Sequence, residues 1–304
     1  MSLEKIEARW RTLDPVFVRG MQRSGTSVME GALQRMGIRG FAEGHLWFEL
    51  LGPLTQLRDP TYRPNYRADI YALGENRLSA LEKYIAVALD QFHRDHLPPL
   101  KRWMDKSPGA DAVRFSPLLA DLFPKAQFIF MYRNGITTVQ SGVKLWKDDP
   151  NIFHTMCRGW AETMFTWRQI RDKLHGRYIE IAQEELVTHP HEVAARLTNF
   201  LGAPRYSRAV AELFISKRIL SAFPDKAPGD YRYRVDWDDE QKAYFEATCG
   251  AEMAAWGYEI DYESPGVARE GDLTRQEAHT LEREKKSRVI RFLNWLGNLR
   301  RRKR

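Results

Sequence analysis

Short, wholly apolar runs alternate along this chain with longer stretches whose apolar residues recur every three or four positions. Val16, Phe17 and Val18 form the first such run. After a glycine-bounded loop, Val28, Met29, Ala32, Leu33 and Met36 take helical spacing. This predicts a strand at 16–18 and a helix over 26–36, preceded by a charged lead-in at 1–14. Residues 37–64 are rich in Gly, Pro and aromatics and read as irregular after a short second strand. Residues 75–96 carry Leu78, Leu81, Ile85, Ala88, Leu89 and Phe92 at helical spacing and stop before Pro98-Pro99. A short strand is expected at 100–104 and a helix over 111–122. QFIFMY, at 127–132, is apolar throughout and suits a parallel strand covered on both faces. Helices are expected over 136–146, 151–174, 191–201, 206–222 and 238–256, with a strand at 178–182. Strands alternating with helices imply an α/β fold of P-loop-like, three-layer type, a central parallel sheet flanked by helices.

Composition changes this picture little: 43% hydrophobic and 12% aromatic residues over 304 positions suit a folded globular body. Charge changes it more. Residues 283–304 hold ten Lys/Arg and one acid, so the net +7 less the tail's +9 leaves −2 for residues 1–282. Basicity is therefore a tail property, and no nucleic-acid partner is expected for the body. The division predicted is a catalytic domain over 1–265 and a basic amphipathic tail over 266–304. In the tail Val289, Phe292, Leu293, Leu296 and Leu299 fall on one stripe with Trp295 beside it. That pattern fits an interfacial membrane helix, a helix docking on an acidic partner, a terminal helix packed on its own body, or a disordered end. Two cysteines without metal spacing (Cys157, Cys249), and a charged start lacking an apolar signal core, point to a reducing, cytoplasmic address. The inner membrane surface is the alternative the tail allows.

The chemistry gathers where strands end. GMQRSGTS has P-loop spacing, filled by Gly20, Gly25 and Ser27, but Thr26 stands where a nucleotide triphosphatase has its lysine. The positive charge lies inside the loop, as Arg23. Strand, tight loop and helix N-terminus are the parts of a phosphate cradle. DKSP at 105–108 and Arg133 also follow expected strands, which points to one shared site at the carboxyl edge of the sheet.

Together these stretches resemble the sulfotransferases that use 3′-phosphoadenosine 5′-phosphosulfate (PAPS), in the style of the bacterial and tyrosylprotein branches. GMQRSGTS is similar to the loop gripping the 5′-phosphosulfate. FIFMYRNGITTVQS is similar to the second signature, a strand ending in Arg with Ser eight positions on. DKSP is similar to the segment whose lysine reaches the transferring group. IAQEELVTHPHEVAARLTNFLGAP and WGYEI echo the family's later stretches, so the resemblance spans about residues 15–262. Asn134-Gly135 stand where the family usually has Asp-Pro, and Gln183 where it often has a tyrosine.

The resemblance implies PAPS as co-substrate, without a metal, and sulfuryl transfer to a hydroxyl or amine. Arg23, Ser24, Gly25, Thr26 and Ser27 would cradle the 5′-phosphate and sulfuryl oxygens, and Lys106 would approach the bridging oxygen. Arg133 and Ser141 would hold the 3′-phosphate, with Arg234 (or Arg232) completing that subsite from a late loop. The base is Glu43, twenty residues after Arg23, or His45. On a strand these two would share a face. Trp47, Phe48, Tyr62 and Tyr66 would line an acceptor pocket or pack internally. The acceptor is left open among carbohydrate, lipid-linked sugar, small metabolite and peptide tyrosine. The alternatives are a P-loop kinase or NTPase, and a non-catalytic nucleotide-binding protein of the same fold.

Overall fold

A computed structural model of the chain describes residues 2–41, 43, 46–59, 75–100, 102–216 and 235–263. Helix α1 (Leu3–Trp10) leads into β1 (Val16–Gly20), α2 (Thr26–Arg35), β2 (Ile38–Phe41) and α3 (Leu46–Arg58). Then come α4 (Glu75–His96), β3 (Arg102–Lys106), α5 (Ala110–Arg114), α6 (Ser116–Leu122), β4 (Gln127–Tyr132) and α7 (Gly135–Leu145). The chain continues through α8 (Ile152–Ile170), β5 (Tyr178–Ala182), α9 (Glu185–Thr188), α10 (Pro190–Phe200), α11 (Ser207–Ser216) and α12 (Asp239–Ala255).

The five strands run parallel in the order β2-β3-β1-β4-β5. Alternation along each strand divides the core into two layers. Phe17, Trp103, Phe128 and Phe130 face one side, where they pack with apolar residues of α1, α3 to α8 and α12. Val16, Val18, Met104, Ile129, Met131 and Ile181 face the other, against α2 and α9 to α11. This is why QFIFMY shows no polar alternation: both faces are covered by helices. The predicted α/β, three-layer architecture is the one observed.

The departures from the expected elements have physical causes. The lead-in is a helix, because Ile6 is buried and Arg9 and Glu7 reach Asp90 and Lys83 of α4. The stretch read as irregular contains α3, which tolerates Pro53 in its interior and buries Leu51 and Leu54. Trp47 and Phe48 therefore lie on a helix, not in a loop. The helix expected over 111–122 is two, broken at Phe115, with Pro117 opening the second. The C-terminal part of the 151–174 helix is a single 3₁₀ turn, Arg171–Leu174. Cys157 and Cys249, 92 positions apart, meet between α8 and α12, where Cys249 Sγ lies 3.4 Å from the Cys157 carbonyl oxygen. Both are free thiols. Tail residues 266–304, Tyr62, Tyr66, His45, Arg232 and Arg234 lie outside the described residues. Among the described residues no helix is long and apolar enough to cross a membrane.

Candidate functional site

The ends of β1, β3 and β4 are neighbours in the sheet, so the loops that follow them open onto one crevice. β1 runs between β3 and β4, with Gly20 beside Met131 and Val18 beside Lys106. The DKSP stretch keeps to β1 beyond the strand: Ser107 N–H donates to Val18 O (3.3 Å) and Gly109 N–H to Gly20 O (2.8 Å).

The loop after β1 takes a shape that side chains resist. Gly20 has φ +140°, and a Cβ there would lie 2.1 Å from the Met131 carbonyl oxygen. Gly25 has φ +93° and is followed directly by α2, which leaves the first N–H groups of that helix without intrahelical acceptors. Arg23 is left-handed too, at φ +71°. This turn directs the Arg23 side chain to α7, where its Nε donates to Ser141 Oγ at 3.0 Å. It also turns the Arg23 carbonyl to Arg133, whose Nη1 donates to it at 3.2 Å. Thus Arg23, from the first signature, contacts two residues of the second: Ser141 through its side chain and Arg133 through its backbone carbonyl. Ser24 differs from its neighbours. Its hydroxyl is buried, 2.6 Å from Met21 O and 3.0 Å from Met131 O, so it pins the loop to β4. Thr26 is buried, whereas Ser27 is exposed at the mouth of the cradle.

Arg133 is held from behind. Its carbonyl accepts from Trp160 Nε1 (2.9 Å), and Asn134 caps α7 by accepting from the Ile136 and Thr137 N–H groups. A Cβ at Gly135 would crowd Met253, Phe245 and Trp160, which accounts for the Asn-Gly sequence locally. Glu184, just past β5, accepts from the Asn134 N–H (2.9 Å) and the Tyr258 hydroxyl (3.3 Å). Burial raises the Glu184 carboxyl above its usual range, and Arg133 with the Asn134 N–H pulls the other way. Gln183 packs against the loop, since its Cγ would lie 3.0 Å from a Cβ at Gly25.

Asp105 and Lys106 diverge, as consecutive strand residues must. Asp105 takes Arg19 as partner, Nη1 to Oδ2 at 2.7 Å, with both side chains 1% exposed. Lys106 turns to α2: its Nζ lies 3.3 Å from Glu30 Oε2, 3.5 Å from Ser27 Oγ and 4.0 Å from Glu43 Oε1. Glu43 follows the end of β2 rather than lying on it, so the shared-face argument for Glu43 and His45 does not apply. Arg19, Glu30 and Glu184 are the residues of this region that sequence reasoning passed over. Their signals were a charge inside an apolar strand, an acid three positions after Ser27 on one helix face, and an acid at the end of the strand beside β4.

Residues 15–208 match the family model described as Sulfotransferase family. The protein-tyrosine sulfotransferase A of Caenorhabditis elegans is 26% identical over 200 residues, covering 64% of this chain and 51% of that protein. The Drosophila melanogaster protein-tyrosine sulfotransferase is 26% identical over 219 residues, covering 68% and 42%. The chain thus spans about half the length of the curated relatives it matches. Among solved structures, a sulfotransferase domain from the curacin biosynthetic pathway shares 17% identity at TM-score 0.46, covering 83% of this chain and 100% of that one. A sulfotransferase from Mycobacterium avium shares 14% at TM-score 0.47, covering 82% and 78%.

Proposed function

The chain belongs to the sulfotransferase family, and on that premise we propose that it moves a sulfuryl group from PAPS to a hydroxyl or amine acceptor. The acceptor oxygen or nitrogen bonds to sulfur as the bond from sulfur to the bridging phosphate oxygen breaks, and adenosine 3′,5′-bisphosphate leaves. Little covalent work falls to the protein in such an in-line displacement, so positioning and charge stabilisation carry it, as in phosphoryl transfer.

In this reading Arg23, Ser27 and the N–H groups at the start of α2 hold the 5′-phosphate and sulfuryl oxygens. Lys106 neutralises charge growing on the leaving oxygen. Arg133 and Ser141 hold the 3′-phosphate, and Glu43 takes the acceptor's proton. Ser24 acts through the loop's shape. The observation that supports the reading is the contact of Arg23 with Ser141 (3.0 Å) and with Arg133 (3.2 Å), which brings the two signatures side by side. Thr26 in the Walker lysine position speaks against a kinase or NTPase.

Calorimetry with adenosine 3′,5′-bisphosphate and with MgATP tests it. The bisphosphate is expected to bind and MgATP not to compete; tight MgATP binding without bisphosphate binding would sink the proposal. Within it, Arg133→Ala should weaken bisphosphate binding about 10- to 100-fold, the loss of a charge-assisted contact, and adenosine 5′-phosphate binding by less than about threefold. Equal weakening of both ligands would remove Arg133 from the 3′-phosphate. The acceptor we propose is hydroxyl-bearing: a carbohydrate, a lipid-linked or small molecule, or, by analogy with the named relatives, a peptide tyrosine. A labelled-PAPS transfer screen across these classes separates them.

A further inference from the structure

Helix α2 presents Ser27 and Glu30 three positions apart on one face, and both meet Lys106. The two charges of the 3.3 Å pair are well withdrawn from solvent, with Lys106 at 7% and Glu30 at 15% exposure, whereas Glu43 is 51% exposed. No acid occupies the first turn of α2, so the positive end of the helix dipole faces the cradle uncompensated, and Glu30 is the first carboxylate behind it. We propose that Glu30 is the resting counterion of Lys106 and lowers the site's affinity for the anionic product, so that the bisphosphate leaves; this rests on the sulfuryl-transfer reading above.

Lys106 has three N–H donors and one positive charge. With Glu30 beside it, the pair presents directed donors to a ligand but little net charge. A donor oxygen arriving at Nζ competes with the Glu30 carboxylate, and on departure of the bisphosphate the carboxylate takes the ammonium back. Glu30 touches the lysine and not the reacting atoms, which makes it a positioning residue.

A double-mutant cycle read by bisphosphate calorimetry tests this. Glu30→Gln, which keeps an acceptor for the Gln34 amide now 3.1 Å from Glu30 Oε1, should tighten bisphosphate binding about fivefold to tenfold, a coupling of ordinary size for touching residues. In turnover, the KM for PAPS should fall together with kcat as product release slows. In a Lys106→Met background the same substitution should change binding by less than about twofold, because the charge it frees is gone. Glu30→Ala should shift binding with the same sign, which separates charge from shape. Unchanged or weaker binding in Glu30→Gln overturns the proposal, as does an equal gain in the Lys106→Met background. Absence of bisphosphate binding in the unaltered protein would overturn the sulfuryl-transfer reading itself, and Glu30's role with it.

Discussion

Glu43→Gln should lower kcat by about 10²- to 10⁴-fold, the range of a lost general base, while leaving the bisphosphate Kd within about threefold. The asymmetry follows from where Glu43 sits. It is half exposed, beyond the end of β2, with Lys106 Nζ 4.0 Å from its carboxylate. In the proposed reading the carboxylate takes the acceptor's proton, which the amide cannot accept. Labelled transfer under saturating PAPS measures the first quantity and calorimetry the second. A fall in kcat of less than about tenfold would move the base elsewhere, and His45→Ala is then the next substitution to make.

Asp105→Ala is expected to lower stability by about 3–5 kcal/mol, because it strands a buried guanidinium. Arg19 and Asp105 are both 1% exposed, on adjacent strands in the middle of the sheet. Burial lowers the Arg19 pKa, and Asp105 pulls it back up. The Arg19 guanidinium also lies 5.0 Å over the Phe17 ring and bonds the Val18 and Asp105 carbonyls, and Ser107 Oγ contacts both Asp105 oxygens. Removing the acid leaves this charge buried beside the Phe17 ring without its counterion, and the melting temperature should drop on the order of 10 °C. Replacing both partners, as Arg19→Met with Asp105→Leu, should recover most of the loss, since well-packed apolar side chains need no counterion. A single substitution that melts within about 2 °C of the unaltered protein would show that the pair contributes little.

These two residues also show what the chain discloses of itself before folding. β4 and β5 were readable to the residue, β4 as an apolar run bounded by polar residues and β5 as a short β-prone stretch around Glu180. So was α4, closed by Pro98-Pro99. By contrast α3 was hidden behind Gly52 and Pro53, which signal a turn locally and are overridden by burial of Leu51 and Leu54. The tight loop between β1 and α2 was legible because its glycines and Arg23 lie within one stretch of sequence. Partner choice was not. Whether Lys106 pairs with Asp105 or with Glu30 depends on which face each strand residue takes, and β3 extends through Lys106 instead of ending at Met104. Once the strand's end is known, Asp105 must turn to Arg19 and Lys106 to α2.

The left-handed Arg23 has a consequence for anyone who would engineer or evolve this protein. Its backbone conformation is one that glycine adopts freely and arginine holds at a strain on the order of 1 kcal/mol. Selection for thermal robustness alone would drift this codon toward glycine and erase the guanidinium that meets Ser141. A library sorted only for folding should therefore lose Arg23 early, and one sorted for turnover should retain it and gather its stabilising changes elsewhere.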